Sequence, residues 1–173
     1  MTSEHRVLEG TTLTREFLVT SDETEGPLVE MRVTYRARSP FPPPHLHPFQ
    51  TETFVVEEGE MLVRLNGHES TLQGGSTLVV SPGSVHQMRN ATDTPTIVNW
   101  KVEPALCTAE FFITSHALEG ASLLDRALLV SSYRDVFRLA IQPRPVIGAA
   151  VAALGFVARL SGRSLPGLGR PGV

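Results

Sequence analysis

Short segments in which apolar and polar residues alternate fill the first three fifths of the chain. In residues 28–38 every second side chain is apolar, which is typical of a strand with one buried and one solvated face. The alternation recurs in residues 60–65, and shorter apolar runs at 77–81, 85–90 and 96–103 are separated by Gly- and Pro-containing turns. Many short strands with such turns predict an all-β sandwich or barrel.

Helical spacing of apolar residues replaces this alternation in residues 105–118 and 121–140. A run of small and apolar residues follows at 146–158. We therefore predict a β-barrel over residues 1–104 and an α-helical extension over residues 105–173. We expect this extension to pack on the barrel or on a second subunit, with its last residues disordered.

The composition favours the cytoplasm. The chain has a single cysteine, Cys107, which excludes an internal disulfide and fits a reducing compartment. The first residues carry no apolar stretch of the kind found in secretory signals. The apolar run between Arg144 and Arg159 is shorter than the roughly 20 residues of a membrane-spanning helix, so we expect no membrane span.

The distribution of charge argues against a nucleic-acid partner. The formal net charge is −3, but residues 136–173 hold five arginines and no acidic residue. The predicted barrel is therefore more acidic than the net charge indicates. Nucleic-acid binding requires a basic face on the folded body, so we expect a small-molecule ligand instead.

Three histidines and one glutamate carry the candidate chemistry. His45 and His47 are two residues apart, so on a strand they share a face. Glu52 is five residues beyond His47, which requires a turn, and Pro48 is a plausible breakpoint for a hairpin that returns Glu52 beside the histidines. His86 would join them from a separate strand. This mixture of imidazole and carboxylate donors suits a divalent first-row transition metal.

The spacing of these residues resembles the two sequence motifs of the cupin superfamily. The first is His45-x-His47-x4-Glu52-x6-Gly59, and the second is Gly83-x2-His86-x3-Asn90. The resemblance covers roughly residues 28–103. It implies a jelly-roll barrel, the cupin double-stranded β-helix, that holds a metal inside on His45, His47, Glu52 and His86. The metal would be Fe, Mn, Zn or Ni. We expect Gln50 or Asn90 to accept a hydrogen bond from a metal-bound imidazole.

Alternation also predicts which side chains surround the metal. The substrate pocket is expected to include five residues: Tyr35, Phe54, Met61, Met88 and Trp100. The expected wall contains no Lys or Arg, and an unpaired buried charge is costly. A neutral or aromatic small molecule is therefore the expected ligand, although these side chains could equally well only fill the barrel.

Two classes of function remain open from the sequence. The first is an enzyme, either a non-haem metal-dependent oxygenase or a metal-assisted isomerase or cyclase. The alternative is a non-catalytic binding protein whose metal is structural or grips the ligand, because one barrel fold hosts many functions. We expect a homodimer in either case.

Overall fold

The computed structural model describes residues 6–20 and 28–166, so the predicted disorder of the last residues lies outside the described part. The body consists of two antiparallel β-sheets that face each other across an apolar core, and helices follow them. The strands are β1 (Val7–Glu9), β2 (Leu13–Val19), β3 (Val29–Tyr35), β4 (His45–Leu46), β5 (Thr51–Glu58), β6 (Glu60–Leu65), β7 (His68–Gln73), β8 (Thr77–Val80), β9 (His86–Arg89), β10 (Thr96–Glu103) and β11 (Arg138–Leu139).

From β3 onward the chain crosses repeatedly between the two sheets. The larger sheet has the order β1-β2-β3-β10-β5-β8, and the smaller has the order β11-β4-β9-β6-β7. Consecutive strands such as β4 and β5 therefore lie in opposite sheets. This crossing from sheet to sheet is the jelly-roll arrangement that the sequence predicts.

The predicted alternation is realised in β3 and its neighbours. Val29, Met31 and Val33 are fully buried, while the intervening residues are partly or wholly exposed. The partner strand β10 follows the same rule, with Val98 and Trp100 facing inward. Apolar side chains of both sheets fill the interior, which is the main source of stability for such a sandwich.

Three helices complete the structure: α1 (Thr108–Ala117), α2 (Leu123–Ser132) and α3 (Arg144–Leu160). Helices α2 and α3 pack closely at Gly155, where an added Cβ would lie 2.2 Å from Ser131 Oγ. A glycine is therefore required at this crossing. None of the described helices combines the length and hydropathy that a membrane span requires.

Two local expectations differ from the structure. The predicted helix over residues 121–140 ends at Ser132. A turn follows, and then the two-residue strand β11, which pairs with β4. The hairpin expected at Pro48 does not form, because β4 and β5 belong to different sheets. Glu52 therefore approaches the histidines from the facing sheet and not from a neighbouring strand. Sequence spacing alone does not reveal such a crossing.

Candidate metal centre

Three histidine side chains meet inside the sandwich where β4 and β9 pair. His45 begins β4, His47 follows that strand directly, and His86 begins β9. His45 is the register partner of His86 in the antiparallel pair. The ligand atoms of the three side chains lie within 4.8 Å of one another, a spacing compatible with one shared metal ion.

Each of the three rings is oriented by a hydrogen bond to a backbone carbonyl. The Nδ1 atom of His45 lies 2.9 Å from Pro43 O, that of His47 lies 2.6 Å from Val136 O, and that of His86 lies 3.2 Å from Ser84 O. A carbonyl oxygen only accepts, so each Nδ1 carries the proton. In its neutral form each ring therefore keeps the lone pair of Nε2 for a metal.

Glu52 contacts two of the three histidines. Its Oε1 lies 3.3 Å from His47 Nε2, and its Oε2 lies 3.0 Å from His86 Nε2. Trp100 Nε1 donates a hydrogen bond to Oε1 at 3.2 Å. The set of mutually close ligand atoms contains the three histidines and not Glu52. The carboxylate is fully buried.

Several polar atoms at this centre are buried without a hydrogen-bond partner. They include His47 Nε2 and Glu52 Oε2. An unsatisfied buried polar atom costs about 1–3 kcal/mol, so its position calls for a compensating ligand. A divalent cation accepts lone pairs from both atoms, and the donor set fits it.

The charges of the centre favour neutral His45 and His47 and an ionised Glu52. Burial alone would lower the pKa of His86, but the Glu52 carboxylate outweighs burial and raises it. Burial lowers the pKa of His45 to about 3, and its histidine neighbours act in the same direction. Burial also lowers the pKa of His47. Burial opposes ionisation of Glu52, but the contact with His86 and the nearby histidines outweigh burial and hold the pKa of Glu52 below its usual value. A metal ion requires neutral imidazoles and an ionised carboxylate, so its binding would displace a proton held between His86 and Glu52.

The acceptors for the imidazole rings differ from the two side chains expected from the sequence. Asn90 donates through Nδ2 to Thr94 O at 2.6 Å and Arg36 O at 3.2 Å, so it fixes a turn and does not hold a histidine. Gln50 donates to Pro104 O at 2.8 Å and Thr108 Oγ1 at 2.7 Å. Burial lowers the pKa of His47, and Gln50 acts more weakly in the opposite direction.

A cavity of about 320 Å³ opens beside the three histidines. Four of the five expected pocket residues line it: Tyr35, Phe54, Met88 and Trp100. Met61 is buried but is not among the lining residues, because it packs inside the core cluster. Burial raises the pKa of Tyr35 to about 12, so its phenol remains a hydrogen-bond donor at neutral pH.

The expectation of a wall without a cation is wrong, because Arg15 lines the cavity. Arg15 lies on β2 between Leu13 and Phe17, two apolar residues that belong to the core or pack against it. The alternation of Leu13, Arg15 and Phe17 was the sequence signal for its inward position.

The helical segments also supply side chains that sequence reasoning missed. Phe111 and Phe112 of α1 line the cavity, as does Phe137 just before β11. The Phe137 ring stacks on His45, with ring centres 4.9 Å apart and planes 23° apart. The division of the chain at residue 104 remains a prediction, but the centre draws on residues from both sides of it.

Fold and site together define a jelly-roll protein with a possible three-histidine metal site inside the barrel. Residues 31–102 match the family model described as the cupin domain, as the resemblance of the two sequence motifs predicts. The C-terminal helices are an extension to that fold.

One curated relative is the tetracenomycin polyketide synthase protein TcmJ of Streptomyces glaucescens, which is 33% identical over 60 residues. The match covers 35% of this chain and only 40% of the length of that relative.

Solved structures share the fold at low sequence identity. A conserved protein of Klebsiella pneumoniae with a double-stranded β-helix domain is 22% identical, with a TM-score of 0.50 over 60% of this chain and 86% of that one. A predicted oxalate decarboxylase of Thermotoga maritima is 16% identical, with a TM-score of 0.50 over 53% of this chain and 80% of that one. Likeness at this identity establishes the fold alone.

Proposed function

We propose that this chain is a metal-dependent enzyme that holds one divalent transition metal ion on His45, His47, His86 and Glu52. The observation that carries the proposal is the orientation of the three rings. Each Nδ1 is committed to a backbone carbonyl, which leaves three Nε2 lone pairs in one buried space. Iron, manganese, zinc and nickel all accept such donors.

The reaction we propose is that of a non-haem oxygenase, or of an isomerase or cyclase. A bound metal ion would supply a Lewis acid for a substrate oxygen, or redox chemistry with dioxygen. Tyr35 would donate a hydrogen bond to the substrate, since its raised pKa of about 12 keeps the proton on the phenol. Glu52 would remain a ligand, because its buried carboxylate faces His47 and His86.

The substrate we propose is an aromatic small molecule. Flat side chains dominate one wall of the cavity, where Phe54 and Trp100 lie 5.0 Å apart and Trp100 and Phe112 lie 5.1 Å apart. Such faces exclude water and orient a planar ring. The partial match to a polyketide synthase protein supports a polyketide-derived aromatic metabolite.

One observation favours the alternative of a binding protein without turnover. Tyr35 lines the cavity with its proton held firmly, so it serves as a donor and not as a base. A cavity that only binds its ligand needs a hydrogen-bond donor such as this phenol and no catalytic base. Substrate-dependent oxygen uptake by the iron-loaded protein would favour the enzyme; tightly held zinc with no turnover would favour the binding protein.

We also propose a cytoplasmic homodimer. The single cysteine, Cys107, is free and exposed, which fits a reducing compartment. Three large apolar side chains of α3 are well exposed: Val146 at 61%, Phe156 at 59% and Leu160 at 73%. An exposed apolar face of this kind is typical of an interface, and a second copy of the chain is the proposed partner.

The metal assignment is tested by elemental analysis of protein purified without a metal-affinity tag. We expect about one equivalent of a first-row transition metal per chain, and its loss in the His47→Ala and His86→Ala variants. The matched control is His68→Ala, because His68 is exposed on β7. Metal retained by both site variants, or no metal and no thermal stabilisation by added Fe, Mn, Zn or Ni, would contradict the assignment.

A further inference from the structure

Arg15 places a positive charge in the cavity wall, and no carboxylate among residues 6–20 and 28–166 forms an ion pair with it. In β2 it is the register partner of Val33 of β3, whose side chain is fully buried. The guanidinium carbon lies 4.5 Å from the centre of the Phe112 ring. Its Nε atom is shielded from solvent and has no hydrogen-bond partner.

Glu119 acts on Arg15 through its charge without forming an ion pair with it. Glu119 favours the charged guanidinium but forms its closest contact with His116, whose Nδ1 lies 3.4 Å from Glu119 Oε1. The Glu119 side chain is 46% exposed and lies at the opening of the same cavity. Among the described carboxylates, none forms an ion pair with Arg15.

A partly buried cation without an ion-pair partner is costly, and arginine keeps its proton in proteins, so the cost remains. Burial lowers the pKa of Arg15, but guanidinium groups remain charged in proteins. The contact with Phe112 offsets part of the cost through the attraction of the aromatic face for a cation. The Nε atom remains unpaired, and the Arg15 side chain lines a cavity large enough for a ligand.

We propose that Arg15 recognises a carboxylate group carried by an aromatic ligand of this cavity. The guanidinium lies over the face of Phe112, so its N–H groups along the edge are available to both oxygens of a planar carboxylate. The aromatic wall of Phe54 and Trp100 receives the ring. Aromatic carboxylates would then be the substrate class of the proposed function. The inference depends on that function only because it takes this cavity as the substrate site.

The test compares an aromatic acid with its uncharged counterpart. 1-Naphthoate and 1-naphthamide are titrated into full-length, EDTA-treated protein, with calorimetry and with the fluorescence of Trp100, which is the single tryptophan and lines the cavity. We expect the acid to bind about tenfold or more tightly than the amide, because charge-assisted bidentate pairs are the strong ones. In Arg15→Gln this preference disappears, while binding of the amide changes by less than about twofold.

Two controls separate recognition from folding. Arg126→Gln removes an exposed arginine of α2 and should keep the full preference for the acid. Arg15→Met removes the unpaired charge and keeps the apolar stem, so we expect a melting temperature equal to or above that of the wild type. A structural arginine would give the opposite result, a clear loss of melting temperature, and that loss would overturn the proposal.

Two further results would also overturn it. One is an unchanged preference for the acid in Arg15→Gln. The other is Arg15-dependent binding of inorganic phosphate without any binding of naphthoate. That result would show that Arg15 recognises a small anion and not an aromatic carboxylate. Glu119→Gln removes the competing negative charge and should strengthen binding of naphthoate. Weaker binding would indicate that Arg15 is an electrostatic partner of Glu119 and not a ligand-binding residue.

The measurement is independent of the metal assignment. The titrations are repeated with zinc-loaded protein and with the His47→Ala variant. Dependence on Arg15 that persists in both forms supports the inference even if the metal centre fails its own test. A preference for the acid that appears only with zinc and is insensitive to Arg15 would place the carboxylate on the metal and contradict the inference.

Discussion

Glu52 Oε2 lies 3.0 Å from His86 Nε2 in the interior of the sandwich, while Nδ1 of the same ring lies 3.2 Å from Ser84 O. With the proton on Nδ1, a neutral ring presents a lone pair at Nε2, and a carboxylate presents only lone pairs. Two such atoms repel at this distance unless a positive charge lies with them. A proton or a metal ion meets this requirement.

Replacing the carboxylate should therefore affect the metal-free and metal-loaded proteins differently. In Glu52→Gln the amide donates to a neighbouring Nε2, so we expect metal-free protein at least as stable as the wild type. Metal affinity should fall by about 10- to 100-fold, which reduces the stabilisation by metal by roughly 1.4–2.7 kcal/mol. Thermal melts with and without zinc measure both quantities.

The matched control for this change is Glu58→Gln, because Glu58 is an exposed glutamate at the end of the same strand. It should leave the zinc-induced rise in melting temperature unchanged. An equal rise in Glu52→Gln and in the wild type would show that the carboxylate does not contribute to the metal site.

The aromatic stack behind His45 provides a second prediction. Phe137 lies between His45 and Phe111, with ring centres 4.9 Å and 5.2 Å away. Phe137→Ala should cost roughly 1–3 kcal/mol of unfolding free energy and weaken metal binding, because the His45 ring loses its support. Urea denaturation and zinc titration measure the two effects.

Phe49→Ala is the control for that variant. Phe49 is near His47 in sequence but is 57% exposed, so its loss should change neither stability nor zinc affinity appreciably. Wild-type zinc affinity in Phe137→Ala would show that the stack does not orient His45.

The fold and the three histidines could be predicted from the sequence because both follow local rules. Alternation identified β3 and its buried face, and the spacing of His45, His47 and His86 carried the metal motif. The strand β11 could not be predicted, because its pairing with β4 is a contact between residues far apart in sequence.

The supporting details of the site were also beyond sequence reasoning. The carbonyls that orient the rings, including Val136 O for His47, belong to the backbone. Every residue has a backbone carbonyl, so the residue type does not indicate which one accepts the hydrogen bond. The inward position of Arg15 could have been predicted, since Arg15 shares the inward face of β2 with Leu13 and Phe17. Its charge argued against that position.

Met61 and Met88 make a third, paired prediction. Both are buried, at 1% and 6% exposure, but only Met88 lines the cavity. Met61→Ala should lower the free energy of unfolding by about 2–5 kcal/mol and leave naphthoate binding unchanged. Met88→Ala should change naphthoate affinity as well. Urea denaturation and fluorescence titration separate the two effects, and unchanged naphthoate affinity in Met88→Ala would place Met88 outside the ligand site.

A fourth prediction concerns alkaline pH. Burial raises the pKa of Tyr35 to about 12, above the unfolded value of about 10. The folded state therefore holds this proton more tightly, so its contribution to stability is complete below pH 10 and is lost as pH rises towards 12. The free energy of unfolding should fall more steeply over this range in the wild type than in Tyr35→Phe. Parallel curves for the two proteins would contradict the assignment.

The exposed apolar face of α3 gives the last prediction. Phe156 and Leu160 lie four residues apart, on one face of the helix, and are 59% and 73% exposed. A second copy of the chain would bury them, whereas two glutamates would place charges in the apolar interface. We therefore expect the wild type to have the mass of two 18.8 kDa chains in solution, and the double variant Phe156→Glu, Leu160→Glu to have the mass of one.

Light scattering coupled to gel filtration measures these masses over a range of protein concentrations. The control is Leu123→Glu, because Leu123 is a 71% exposed leucine at the start of α2 and outside the α3 face. It should remain dimeric. Gly155 and the buried contact with α2 are untouched in the double variant, so its helices should stay packed and its circular dichroism unchanged. A wild-type protein with the mass of one chain, or a double variant with the mass of two, would rule out this face as the dimer interface.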